Sequence, residues 1–373
     1  MAKAPRFKSY TKRQLWFYTR RALLVLFSWT FIAMVLFYFE YYTLISYRAL
    51  TSDYDFKQAF ISHLIMAVSA GLIGGFVTVN LMERWLRKYA FWKALLFITI
   101  TYVIAALLVS SIVGLYYYSQ ELGLPLTHPA VLDEFDGFFK QWIFIKNFII
   151  WLVIVVTTLI VFMINDKYGP GVFPDYLMGR YFHPKNERRI FMFADIKDAT
   201  TIAEKLGEEK YFNFLKDFFR DIAPAIVQTQ GEVYQYVGDE VVISWKMKNG
   251  LKQANTLQCY YSMQKIIKYK SPRYIKRYGV APSFKAGIHF GPVMVGEVGQ
   301  IKREIVFSGD VLNTAARIAA SCNDLGVEIL ASKDFANISK MLPKNVKVFD
   351  MGKESLKGKA EDIALVTYKK EKS

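Results

Sequence analysis

Phe193-Ala194-Asp195-Ile196-Lys197-Asp198-Ala199-Thr200-Thr201 is the stretch whose reading decides the fold. The apolar run 190–196 reads as a buried strand that ends at an acid. A helix is expected to follow, and Thr201 with Glu204 has the spacing of a capping box. A helix opening there offers free backbone N–H groups and the positive end of a dipole, which suits phosphate. A capped helix and nothing more is the plainer reading of this segment by itself.

A second segment, Tyr236-Val237-Gly238-Asp239-Glu240, lies further along the chain. Residues 231–237 and 241–245 read as two strands of a hairpin turning at Gly238 and Asp239. An acid at a hairpin tip is ordinary turn chemistry when it stands alone. Beside a strand that also ends in an acid it gains meaning. Two carboxylates on neighbouring strand ends can hold Mg²⁺, a hard ion that takes oxygen ligands and substrate phosphates. The third segment is Gly309-Asp310-Val311-Leu312-Asn313-Thr314-Ala315-Ala316-Arg317. Asn313 and Arg317 are four residues apart and share one helix face. Arginine suits bidentate contact with phosphate oxygens.

Around these segments the pattern alternates. Residues 208–229 read as a helix broken near Pro224, and 251–270 and 311–325 as further helices. Residues 283–290, 293–298, 304–307, 327–331 and 346–350 read as strands. This order predicts an α+β layer with helices on one face of an antiparallel sheet.

Taken together, the three segments resemble the class III adenylate/guanylate cyclase family. Gly287-Ile288-His289-Phe290-Gly291-Pro292-Val293 with Gly296, and Leu356-Lys357-Gly358-Lys359, add to the resemblance. It covers about residues 189–368, within a cyclase domain expected over 189–370, the extent of one domain. The resemblance implies a ferredoxin-like βαββαβ core and conversion of ATP, or GTP, to a 3′,5′-cyclic nucleotide and pyrophosphate. It implies two Mg²⁺ (or Mn²⁺) ions per site, held by Asp195, Asp239 and the Ile196 carbonyl. Asn313 and Arg317 become catalytic residues that orient the ribose and stabilise charge on the α-phosphate. Thr200, Gln235 and Lys357 become substrate-binding residues. In this family the metal acids and the Asn/Arg pair come from different domains, so a chain with one domain implies a homodimer with two composite sites.

The chain departs from the family pattern where the base is read. Adenylate cyclases usually carry Lys at position 235 and Asp or Thr at position 306. Here these are Gln235 and Val306, and the guanylate pattern of Glu and Cys is absent too. Gln235 has donors and acceptors for either purine. Asp198-Ala199 replaces the usual Gly-Phe after the first metal acid. A guanylate cyclase of the same mechanism is therefore one alternative. A catalytically degenerate nucleotide-binding receptor is the other.

The first half reads differently. Residues 23–47, 59–81, 92–118 and 142–164 form four apolar runs, each reaching the roughly 20 residues that span a bilayer. They predict an all-α transmembrane bundle over 1–164, joined by a linker over 165–188 to the cyclase domain. The linker holds Gly169, Pro170, Gly171 and Pro174, which break helices, and then a candidate amphipathic helix over 175–182. Basic residues crowd the N-terminal tail (Lys3, Arg6, Lys8), the second loop (Arg84, Arg87, Lys88) and the segment after the fourth run. The third loop instead carries Glu121, Asp133 and Glu134. The positive-inside rule then predicts a multi-pass protein of the cell (inner) membrane with N- and C-termini cytoplasmic.

Composition agrees. The chain of 373 residues is 53% hydrophobic and 16% aromatic, with a formal charge of +16. Its basic excess lies where a membrane protein places it, and no nucleic-acid-binding module accompanies it. The expected partners are therefore ATP or GTP, a second copy and the lipid bilayer, with no nucleic acid. The spans lack the central charges of a transporter. Cys259 and Cys322 fit no zinc pattern and read as two free thiols. Gly71 and Gly75 have the spacing of close helix packing.

Overall fold

The computed structural model describes residues 8–50, 54–84, 91–138, 142–168, 178–301, 303–355 and 362–371. The chain forms two units, Met1–Ile164 and Asn165–Ser373.

The first unit contains α1 (Lys8–Ser46), α2 (Phe56–Arg84), α3 (Phe91–Leu122), the short α4 (Pro129–Phe138) and α5 (Trp142–Tyr168), whose last residues run past the unit boundary. Within the long helices, Thr19–Ser46, Phe56–Val77, Leu96–Leu122 and Phe144–Phe162 are long and apolar enough to cross a membrane. Their outward side chains are apolar as well: Phe27, Phe31, Phe39 and Phe76 are largely exposed. A helix that is hydrophobic all round suits lipid rather than water. Inside the unit, the Trp29 ring meets Tyr102 and Trp151 at 5.6 and 5.7 Å, and its Nε1 donates to Thr158 Oγ1 at 3.0 Å. A Cβ on Gly75 would stand 2.7 Å from the Ala22 carbonyl oxygen, and one on Gly71 would stand 3.0 Å from Leu26 Cα. The small-residue spacing thus sets the approach of α2 to α1. Helix α4 lies in a loop where the sequence pattern foresaw none.

The second unit runs β1 (Lys185–Ile196), α6 (Ala199–Leu206), α7 (Glu208–Gln228), β2 (Glu232–Val237), β3 (Glu240–Lys246) and α8 (Met247–Leu251). It continues with α9 (Asn255–Tyr278), β4 (Phe284–Val298), β5 (Glu304–Ser308), α10 (Asp310–Ala320), β6 (Ile329–Ser332), α11 (Lys333–Ile338), β7 (Val346–Glu354) and β8 (Ile363–Lys370). The sheet order is β2-β3-β1-β4-β6-β8-β7, with β5 paired to β4. The first four strands are antiparallel throughout and give the expected ferredoxin-like core. Beyond them β6 is parallel to β4, so the sheet is mixed rather than antiparallel.

Helices cover both faces, not one. Phe191 and Phe193 of β1 pack with Val311, Ala315 and Ala319 of α10. On the opposite face, Phe284 meets Phe218 of α7 and Tyr260 of α9 at 6.0 and 5.4 Å between ring centroids. Alternate residues of a strand point to opposite sides. The near-continuous apolar run of β1 therefore already required cover on both faces.

Prolines mislead at two places. Helix α7 runs unbroken through Pro224 because its apolar face, Phe218, Ile222 and Ala225, stays buried. Strand β4 runs unbroken through Pro292, where two strands were expected. β6 covers only Ala286–Ile288 and β5 only Met294–Val298. Pro292 thus sits where no strand lies on that side, and its missing N–H costs no ladder bond there. Strand β8 and helix α11 complete the unit and were not foreseen. Of the candidate helix over 175–182, residues 175–177 lie outside the described residues, and 178–182 form turns.

Candidate active site

Strand β1 delivers Asp195 and Ile196 to one edge of the core, and the β2–β3 turn delivers Asp239. Gly238 has φ 59, a left-handed conformation that glycine adopts without strain, and it places Asp239 at the tip. Asp195 lies directly opposite Glu240 of β3 and Lys285 of β4. Residues opposite one another share a sheet face. Glu240, Asp195 and Lys285 therefore form one row across three strands. The Lys285 ammonium is 3.4 Å from Asp195 Oδ2.

The row is crowded with negative charge. Burial first, and then a hydrogen bond and the charge of Asp239, push the Asp195 carboxyl up to about 6, against the pull of Lys285. Burial and the charges of Asp195 and Asp239 push Glu240 up to about 7. Burial and the same two aspartates also raise the Tyr211 hydroxyl of α7 above its ordinary value. Ionising one carboxyl here makes the next harder to ionise, and a cation relieves both.

The chain then enters α6. Asp198 is at φ 55 and precedes the helix, which opens at Ala199. The Ile202 N–H donates to the Asp198 carbonyl at 2.9 Å. The expected capping box does not form: Thr201 is already inside the helix, and no side chain caps its start. Thr200 is exposed in the first turn, immediately after the acidic strand end. Ile196 buries its side chain and pairs with Phe284.

Helix α10 presents Asn313 exposed and Arg317 half-buried, while Val311, Ala315 and Ala319 face the sheet. Among the described residues neither side chain makes a hydrogen bond or ion pair with the acidic row. Gly287 lets this helix come close, since a Cβ there would stand 2.2 Å from the Ala319 backbone nitrogen.

Gln235 is exposed on β2, one residue past a register shift between Val233 and Gln235. Tyr234 lies inside that shift. Its ring meets Phe307 of β5 at 4.9 Å, and the Phe307 N–H donates to its hydroxyl at 3.4 Å. Arg189 stacks 4.6 Å from the Phe307 ring and binds Glu187, Glu232 and Ser244. This cluster ties β2, which carries Gln235, to β5, which carries Val306. Lys357 lies outside the described residues.

Sequence reasoning missed Glu240, Lys285 and Tyr211. Period-two parity was the available signal, because Lys285 and Gly287 share a strand face. Cys259 and Cys322 are free, as expected, and buried, with burial raising their thiols to about 12 and about 11.

A family profile described as the adenylate and guanylate cyclase catalytic domain matches residues 183–369. Adenylate cyclase 2 of Rhizobium meliloti (strain 1021) is 30% identical over 207 residues, 56% of this chain and 57% of that protein. An adenylate cyclase of Anabaena cylindrica is 28% identical over 48% of this chain and 36% of its own length. The chain thus spans less than two thirds of these relatives. Among solved structures, the adenylyl cyclase CyaB from P. aeruginosa is similar at a TM-score of 0.45 and 18% identity, over 51% of this chain and 97% of that one. With its profile match running through the whole sheet from β1 to β8, the chain belongs to the adenylate and guanylate cyclase family.

Proposed function

We propose that this protein is a membrane-anchored cyclase that converts ATP to 3′,5′-cyclic AMP and pyrophosphate in a homodimer. The pair of carboxylates, Asp195 and Asp239, side by side at the head of a helix, carries this reading. Their donor set fits Mg²⁺ or Mn²⁺: hard oxygen ligands, held in the charge-crowded form that a divalent cation relieves. Among the described residues no group of three His, Cys, Asp or Glu side chains forms a closed metal cage. A pair of acids instead leaves coordination positions for substrate phosphate. Asp195, Asp239 and the Ile196 carbonyl would hold the two ions. When bound, these supply Lewis acidity that activates the ribose 3′-hydroxyl and neutralises the triphosphate.

The chain's own residues do the rest. The turn through Thr200 offers backbone N–H groups to the terminal phosphates. Arg317 stabilises charge on the α-phosphate while the O3′–Pα bond forms and the bond from Pα to the pyrophosphate oxygen breaks. The 3′-hydroxyl proton leaves to solvent. Asn313 orients the ribose, Lys357 reaches the triphosphate, and Gln235 contacts the base. Among the described residues Asn313 and Arg317 form no hydrogen bond or ion pair with the acids of their own chain, which fits a site completed by the second copy. The relatives' names support ATP over GTP. The four apolar helices and the basic flanks support an inner-membrane location with both termini cytoplasmic.

Purified full chain, assayed with ATP and with GTP in Mg²⁺ or Mn²⁺, tests this. Cyclic AMP that disappears in Asp239→Ala is the expected result. Product from GTP alone overturns the assignment of substrate, and no product from either overturns the enzyme.

A further inference from the structure

The first unit holds a partly open cavity of about 340 Å³ among α1, α2, α3 and α5. That volume lies within the range of small-molecule sites, about 300–1,000 Å³. Three observations give it chemistry. First, Glu40 and His63 are its only ionisable wall residues other than tyrosines among the described residues, and Glu40 is the one acid. Second, the wall is rich in rings, including Phe37, Tyr41, Tyr54, Tyr117 and Trp151. Third, Ser62 lines it, is only 6% exposed, and its hydroxyl has no hydrogen-bond partner among the described residues. Beneath lies a smaller apolar space walled by Trp29, Ala70, Gly74 and Tyr102, and the two spaces share Met66, Ala106 and Trp151.

Aromatic faces carry negative charge density and attract cations, most strongly where water is excluded. A carboxylate among such rings repels anions. An apolar ligand would leave the Ser62 hydroxyl and the Glu40 carboxylate without new partners. A cationic head satisfies both, and the apolar floor takes a hydrocarbon body. Glu40 already pairs with Lys146 at 2.6 Å, but Lys146 is 46% exposed and lies outside the wall. A ligand ammonium replaces it at the carboxylate.

We propose that this cavity is a binding site for a small amphipathic organic amine, its ammonium at Glu40 and Ser62 and its apolar body against Trp151. The site stands on the first unit alone and does not rest on the cyclase reading.

Full chain in lipid nanodiscs, with radiolabelled 2-phenylethylamine in a scintillation proximity assay, tests it. 2-Phenylethanol and 3-phenylpropionate serve as neutral and anionic competitors. Saturable binding is expected, with the alcohol and the acid at least tenfold weaker. Glu40→Gln lowers affinity at least tenfold. Ser62→Leu, which narrows the cavity, removes its hydroxyl and keeps the Glu40–Lys146 pair, does the same, with melting scans reporting the fold of each variant. Lys146→Met removes the internal competitor and tightens binding at least threefold. No saturable binding to wild type, which means a cavity holding water or lipid only, overturns the proposal. So does equal competition by the alcohol, or wild-type affinity in all three variants.

Discussion

Replacing Gly287 with alanine tests whether the seat of α10 on the sheet sets the chemistry. Gly287 pairs with Phe193 on β1 and lies under the helix that carries Asn313 and Arg317. The new Cβ would stand 2.2 Å from the Ala319 nitrogen and 2.6 Å from the Ala315 oxygen, where ordinary contact begins at 3.4 Å. Both are backbone atoms, so no side chain can rotate away. Helix α10 must withdraw by about 1 Å. Overpacking of this kind costs about 1–3 kcal/mol. In a domain of this size that lowers the melting point by roughly 2–4 °C per kcal/mol. The functional effect is larger, because misplacing a positioning group by about 1 Å costs about 100-fold in rate. Steady-state kinetics on the full chain should show kcat down about 100-fold, KM nearly unchanged, and melting lowered by only several degrees. A kcat within twofold of wild type, in a variant whose melting does drop, would refute the link between helix seat and catalysis.

Arg189→Met leaves Glu187 and Glu232 facing a buried methionine and removes the ring contact with Phe307. Breaking a buried ion pair costs about 3–5 kcal/mol, and the partial exposure of Glu232 puts the loss near the lower figure, readable as a shift in urea midpoint. For Asp217, burial pushes the carboxyl up, but the Tyr278 hydrogen bond and Arg220, Arg277 and Arg273 outweigh it and hold the group below its ordinary 3.8. Its stabilising contribution is therefore complete above 3.8 and is lost as pH falls below that value. Asp217→Asn should destabilise the protein at pH 6 and flatten its acid limb, and an unchanged acid limb would contradict this. Mn²⁺ should raise the melting point of wild type by several degrees and that of Asp195→Asn hardly at all. The shift should shrink below pH 6, where protons compete with the ion for Asp195, whose carboxyl is pushed up to about 6. An equal shift in the variant would count against the acid pair.

What the sequence disclosed follows from range. Asp195 and Asp239 were legible because a strand end and a hairpin tip are local patterns. The apolar spans and the Gly71–Gly75 spacing are local too. Lys285 and Glu240 were not legible, because they join Asp195 only through the register of β1 with β4 and β3, a pairing between distant parts of the chain. The capping box failed for a related reason. A left-handed Asp198 starts the helix two residues before Thr201, and residue spacing does not encode that turn. Pro224 and Pro292 looked like breaks, yet burial of α7 and the gap between β5 and β6 absorb them. The cavity at Glu40 depends on four helices meeting, and residue spacing along the chain does not encode that.

The central claim is a site shared between two copies, with acids from one and Arg317 from the other. Coexpression of Asp239→Ala with Arg317→Ala measures it directly. Each variant alone should make no cyclic nucleotide, and the mixed dimer should recover activity through its one intact site. Activity in either variant alone, or none in the mixture when both proteins are folded and associated, would contradict the account.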